Sequence, residues 1–172
     1  ALRYGGEAVP TIQALDIART GSIEASRVIH CGSFSKVFTP GLRVGWVCAS
    51  RRIIERLTLI KQASDLNSPS INQSVVLYLA QHGFDQQITK SCDHYRRKRD
   101  AMLRALDAHM PEGVHWSKPD GGFFIWVTLP DGMNGAALLD KAVSEAHVAF
   151  VPGHAFYADG SGPVKVTIAW ND

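Results

Sequence analysis

The sequence predicts an α/β chain in two parts, and three features carry that expectation. Two short strand segments flank a turn between residues 28 and 49, helical periodicity runs from Arg51 to His109, and strand segments return after Pro111 with one helix among them. The 172 residues, 45% of them hydrophobic, suffice for one ordinary domain or two small ones with cores of their own.

The first thirty residues are rich in turn signals, with Gly5-Gly6, Pro10 and Thr20-Gly21, and predict loops with one short turn. Val28 to Cys31 predicts a buried strand that runs straight into Gly32 to Lys36, so that Lys36 falls just past a strand end. Arg43 to Ala49 predicts a second strand, closed by Ser50 as a helix N-cap. From Arg51, residues Ile53, Ile54, Leu57 and Ile60 keep helical spacing and predict one buried face. A polar loop, Ser64 to Ser70, leads to a second helix over Ile71 to Gln81 that ends near Gly83.

Asp85 can cap a long helix to about His109, with Ile88, Cys92, Tyr95, Met102 and Leu106 on one stripe and the basic run Arg96 to Arg99 on a solvated face. Beyond Pro111, Val114 to Ser117, Phe123 to Leu129 and Val164 to Ile168 predict strands. Asn134 there caps a helix whose core side carries Leu138, Leu139, Ala142, Val143 and Ala146. The expected division is residues 1–84, a connecting helix over 85–109, and a small α+β domain over 110–172.

Eighteen Lys and Arg against sixteen Asp and Glu leave a net charge of +2, too little for a nucleic-acid footprint. No apolar run approaches the roughly 18 residues of a membrane span, and the N-terminus has no signal-peptide pattern, so a cytoplasmic protein is expected. Cys31, Cys48 and Cys92 show no framework spacing and are expected to be reduced. Adjacent or i,i+2 pairings such as His30-Cys31 and Cys92-Asp93-His94 do not match zinc spacings, and no metal is expected. Gly121-Gly122 reads as a turn rather than a phosphate loop. Both chain ends look cut, with no initiating methionine and no closing helix after the last strand.

The chemistry-bearing cluster is Ser33, Ser35, Lys36 and Arg43. One amine, two hydroxyl donors and a planar guanidinium suit an aldehyde that carries a phosphate, and Pro40-Gly41 offers a tight return that can face Lys36 and Arg43 toward one ligand. The tetrapeptide alone is a weak pattern. It also satisfies the Ser-x-x-Lys motif of penicillin-recognising enzymes, but the companion motifs of that class are absent.

Extended from Ser33 through Pro40-Gly41-Leu42-Arg43-Val44-Gly45-Trp46, the segment resembles the cofactor-lysine segment of fold-type I, pyridoxal 5′-phosphate-dependent aminotransferases of class I/II. Ala1-Leu2-Arg3-Tyr4-Gly5-Gly6-Glu7, Pro119-Asp120-Gly121-Gly122-Phe123-Phe124-Ile125-Trp126 and Val151-Pro152-Gly153-His154-Ala155-Phe156 resemble further family stretches in the same order. The nearest flavour is the α-aminoadipate and kynurenine subgroup with the MocR-type regulators.

The resemblance implies part of a three-layer α/β/α large domain followed by the small α+β domain, and a homodimer. It implies that Lys36 carries the cofactor as a Schiff base, with Ser33, Ser35 and Arg43 on its phosphate, and that the substrates are an amino acid and a 2-oxo acid. The Pro119 to Trp126 stretch would line the substrate entrance.

Two departures stand out. Where the family has a carboxylate-binding arginine, Val164-Lys165-Val166-Thr167-Ile168 offers Lys165, which is either a point-charge substitute or an ordinary strand lysine. The aspartate and other groups that the family sets around the cofactor ring find no counterpart in these residues, so this piece alone is not expected to transaminate. His154 and Tyr157 either line the substrate mouth or pack the loop, and Trp46, Phe124 and Trp126 read first as core. An aminotransferase-like effector domain of a MocR-type regulator and a related lyase or synthase remain alternative readings.

Overall fold

The computed structural model describes residues 2–159, 161–162 and 164–169. It divides into two compact units, one formed by Leu2 and Gly6–Ser91, the other by Arg3–Gly5 with the chain from Cys92 onward. The parting falls inside a helix.

The first unit opens with helix α1, Ile12–Thr20, in a stretch expected to be mostly loop. Its ends are well made: the Thr11 hydroxyl accepts from Ala14 N–H at 3.1 Å, and Gly21, at φ 83°, closes it with a 2.8 Å bond to Ile17. No apolar stripe announces it, because Ile12 and Leu15 are exposed and the buried contact is Gln13. The Gln13 amide donates to Val28 O at 3.1 Å and Cys48 O at 2.8 Å, tying the helix to two backbone carbonyls.

Asp16, also on α1, accepts from Arg19 at 2.7 Å, the Ser26 hydroxyl at 2.8 Å and Arg27 N–H at 2.9 Å. The Arg19 bond, then those from Ser26 and Arg27, lower its pKa from 3.8 to about 2. A depressed carboxylate stabilises the fold above its ordinary pKa and loses that contribution as pH falls toward 2. The stability difference between the protein and Asp16→Asn should therefore be constant above pH about 4 and shrink between pH about 4 and about 2. Chemical unfolding across that window checks it, and parallel curves would count against it.

Strands β1, His30–Ser33, and β2, Gly45–Cys48, form an antiparallel pair in which Ser33 faces Gly45 and Gly32 faces Trp46. β1 has its expected four residues but begins two later, and β2 is shorter than expected at both ends. Helix α2, Arg51–Ser64, follows, with Ser50 in the cap position. The Ser50 side chain makes no cap bond; the Glu24 carboxylate takes the Arg51 N–H instead, at 3.1 Å. The expected apolar face is only half covered, since Ile53, Ile54 and Leu57 are half-buried and Ile60 is exposed. Helix α3, Ser70–His82, ends at Gly83 as expected.

Helix α4, Phe84–His109, puts Asp85 in its first turn and half-buries or buries the whole expected stripe, with Leu106 fully inside. Its part from Cys92 belongs to the second unit. There strands β3 (His115–Trp116), β4 (Phe124–Thr128), β5 (Val151–Pro152) and β6 (Lys165–Ala169) form an antiparallel sheet in the order β3-β4-β6-β5. Alternation along β4 sends Ile125 and Val127 into a core with Leu106, Val114, Leu129 and Val166. Phe124, one residue out of step with that face, is 52% exposed, so its expected core place is not taken.

Helix α5, Gly135–Lys141, is capped by Asn134, whose Oδ1 accepts from Ala136 and Ala137 N–H. It continues as a π-turn over Ala142–Ala146 that rotates Val143 and Ala146 outward, against the expected core stripe.

The basic run on α4 is not wholly solvated, since Lys98 and Arg99 are both half-buried. The Arg99 side chain is only 15% exposed, donates to Pro119 O at 2.9 Å and lies over the Tyr4 ring. Tyr4 and Gly5 N–H both reach Asp120 O, and the Tyr4 hydroxyl donates to Gly122 O, so the N-terminal segment and α4 together hold the Pro119–Gly122 turn.

Candidate active site

The candidate site is the loop between β1 and β2. Phe34 N–H donates to Val44 O at 3.1 Å, which carries the strand pairing one residue past Ser33 and closes the loop at its base. Gly45 is required there, because a Cβ would stand 2.9 Å from the Gly32 carbonyl oxygen across the pair. Gly32 is covered by the Trp46 indole, whose ring is 42% exposed and meets His30 edge-on; Trp46 is thus a surface cover over β1 rather than the core residue expected.

Inside the loop, Ser33 Oγ accepts from Ser35 N–H at 3.1 Å, and Phe34 O accepts from both Val37 N–H and Phe38 N–H at 3.2 and 2.9 Å. Lys36 sits within that turn, exposed, as are Ser33 and Arg43, while Ser35 is half-buried. The return leg is a 3₁₀ turn, Pro40–Leu42. Its left-handed closing residue is Arg43, at φ 53°, not the glycine of the Pro40-Gly41 pair. Arg43 N–H and Nη1 both donate to Pro40 O, at 3.3 and 3.2 Å, which turns the guanidinium back over the loop.

The loop has a support that the sequence did not single out. Asn72, on α3, donates from Nδ2 to Leu42 O at 3.0 Å, directly before Arg43. An asparagine in the first turn of a helix gives no local signal of a partner thirty residues away.

Four of the five expected site residues, Ser33, Ser35, Lys36 and Arg43, thus share one loop of eleven residues and its flanking strand ends. The donor set of amine, two hydroxyls and guanidinium fits a phosphate-bearing aldehyde: each phosphate oxygen can meet an N–H or O–H, and the amine is on the same loop.

The fifth, Lys165, is in the second unit, at the start of β6 opposite Thr128. It is half-buried, and its Nζ donates to the Tyr157 hydroxyl at 2.9 Å and lies over that ring. Tyr157 packs against Gly162 and, at a tilt, Trp126. His154 is exposed on the 3₁₀ turn Gly153–Phe156. Among the described residues no group of three or more His, Cys, Asp or Glu could hold a metal ion, no helix is long and apolar enough to cross a membrane, and Cys31, Cys48 and Cys92 are free thiols.

Comparison with known proteins agrees with this architecture. The aromatic-amino-acid aminotransferase 1 of Thermococcus litoralis is 44% identical over 158 residues, which is 91% of this chain and 36% of that protein. The solved α-aminoadipate aminotransferase of Thermus thermophilus, complexed with N-(5′-phosphopyridoxyl)-L-leucine, superposes with a TM-score of 0.89 at 37% identity, over 98% of this chain and 42% of that one. The Pyrococcus horikoshii kynurenine aminotransferase, in complex with PMP, gives 0.90 at 40% identity, over 99% and 41%. The chain spans about two-fifths of the length of these relatives, and its fold is part of the fold-type I architecture they share. The aminotransferase class I and II family matches residues 4–172. The chain belongs to that family.

Proposed function

We propose that this chain is the lysine-bearing part of a pyridoxal 5′-phosphate-dependent aminotransferase, which moves an amino group from an amino acid to a 2-oxo acid. The observation that carries the reading is the gathering of Ser33, Ser35, Lys36 and Arg43 on the single loop that the Ser33–Gly45 pairing closes.

The cofactor, when bound, supplies an electrophilic aldehyde and an electron sink. Lys36 Nζ would hold the aldehyde carbon and, as a free amine, would move the proton at the substrate α-carbon. The Ser33 and Ser35 hydroxyls and the Arg43 guanidinium hold the phosphate. Lys165, steadied by Tyr157, attracts the substrate carboxylate as a point charge. The names of the relatives favour amino donors with long or aromatic side chains and favour an enzyme over a regulator. We further propose a cytoplasmic location and a homodimer, for which exposed Ile71 and Tyr78 on α3 offer apolar surface.

The test is covalent mapping. When the full-length protein is reconstituted with pyridoxal 5′-phosphate and reduced with borohydride, the mass increment should fall on the peptide containing Lys36. An increment on another lysine, or none, defeats the reading.

Arg43 allows function to be separated from backbone. Glycine relieves a left-handed conformation that costs an L-residue about 1 kcal/mol, yet removes a charge-assisted hydrogen bond to phosphate worth about 1.5–3 kcal/mol. Arg43→Gly in the full-length protein should leave the melting temperature of the cofactor-free form unchanged or higher. It should raise the Kd for pyridoxal 5′-phosphate by roughly 10- to 100-fold. Calorimetry and fluorescence titration measure the two.

A further inference from the structure

Phe34 and Phe38 stand two residues to either side of Lys36, and their rings stack nearly parallel, with centroids 5.8 Å apart and planes 12° from each other. The Phe38 N–H also donates to Phe34 O at 2.9 Å, so one pair of residues closes the Lys36 turn both by backbone and by side chain. Phe84, the first residue of α4, meets the Phe38 ring edge-on at 5.7 Å and 78°. Beside Phe38 lies an open cleft of about 310 Å³ bordered by Leu79, Gly83 and Gln86. The Phe38 ring thus has Phe34 stacked on it, Phe84 edge-on to it and open space beside it.

We propose that Phe84 is a positioning residue for Lys36: its ring keeps Phe38 stacked on Phe34 and so fixes the backbone of the turn that presents the amine. Edge-to-face contact is directional, so an aliphatic side chain of similar bulk does not replace it. The proposal rests on the reading that Lys36 carries the cofactor. Phe84 acts through Phe38 and not on cofactor or substrate.

The experiment uses the full-length protein with Phe84→Leu, Phe84→Tyr and Phe38→Leu. In the cofactor-free form, hydrogen exchange at the Val37 and Phe38 amides should quicken about tenfold in Phe84→Leu, while β4 and β6 exchange as before. In the loaded form, the single-turnover rate with an amino donor should fall about tenfold at unchanged cofactor occupancy. Phe84→Tyr, which keeps the ring edge, should restore both, and Phe38→Leu should reproduce the Phe84→Leu pattern.

The proposal is overturned if folded Phe84→Leu keeps exchange and rate within about twofold of the parent, or if Phe84→Tyr restores neither. The exchange measurement needs no cofactor. A failure of the Lys36 reading, seen as borohydride fixation elsewhere, is therefore distinguished from a failure of the aromatic staple, seen as unchanged exchange at residues 37 and 38.

Discussion

Lys36→Ala in the full-length, cofactor-loaded protein is expected to slow the first half-reaction by at least about 10³-fold, because one side chain is asked to do two jobs. Alanine offers neither the amine that holds the aldehyde nor the base that moves the α-proton. The turn itself should survive the change, since the bonds that close it run from Val37 and Phe38 N–H to Phe34 O and use no atom of the lysine side chain. The proposed phosphate cradle of Ser33, Ser35 and Arg43 is untouched by the change, so cofactor should still bind, now without a covalent link. Added methylamine, as a free base, should return part of the rate; Lys36→Arg, which keeps charge but not a transferable proton at neutral pH, should stay inactive. Stopped-flow absorbance follows both. A loss of less than about tenfold in Lys36→Ala would remove this lysine from the chemistry.

Gly153→Ala should be among the most destabilising single substitutions in the second unit. A Cβ at Gly153 would lie 2.5 Å from both Cβ and the carbonyl oxygen of Lys165 and 2.8 Å from its carbonyl carbon. Those are backbone-level contacts on β6, which is hydrogen-bonded to β4 on one side and β5 on the other and has no direction in which to yield. Relief requires β5 to part from β6 and break the Val151–Thr167 and Pro152–Val166 pairing. The expected cost is about 3 kcal/mol, more than about 10 °C in Tm for a folding unit of this size. Thermal unfolding followed by circular dichroism measures it, and a shift below about 2 °C would contradict the close approach. Because Lys165 is the residue displaced, surviving Gly153→Ala protein should also bind substrate carboxylates more weakly.

Elements defined by their own side chains were legible in the sequence. The stripe from Ile88 to Leu106 marked α4, alternation marked β4, and Asn134 and Gly83 marked helix ends, since each signal lies within one or two turns of the residues it governs. Helix α1 was hidden because it is only nine residues long between the turn signals Pro10 and Gly21, and its buried anchor is the Gln13 amide, a polar group. The N-cap role of Ser50 passed to Glu24, and Arg99 left the solvated face of its basic run to reach Pro119, in both cases because the partner is distant in sequence. Val143 and Ala146 turned outward because a π-turn changes the angular step that helical spacing assumes.

For the site, the residue types and their order along the chain were determined by the sequence alone: Ser33, Ser35, Lys36 and Arg43 lie within eleven residues, and their chemistry names the ligand class. Only the tertiary structure decided how they are held. Strand pairing sets the base of the loop at Ser33 and Gly45, Arg43 rather than Gly41 takes the left-handed position, Asn72 grips the turn before it, and Phe84 braces the turn that carries Lys36. A short motif can specify which groups meet a ligand because they travel together in the chain. Two of the groups that touch the loop, Asn72 and Phe84, lie 30 and 46 positions from their partners Leu42 and Phe38, on α3 and α4, and leave no mark in the local sequence.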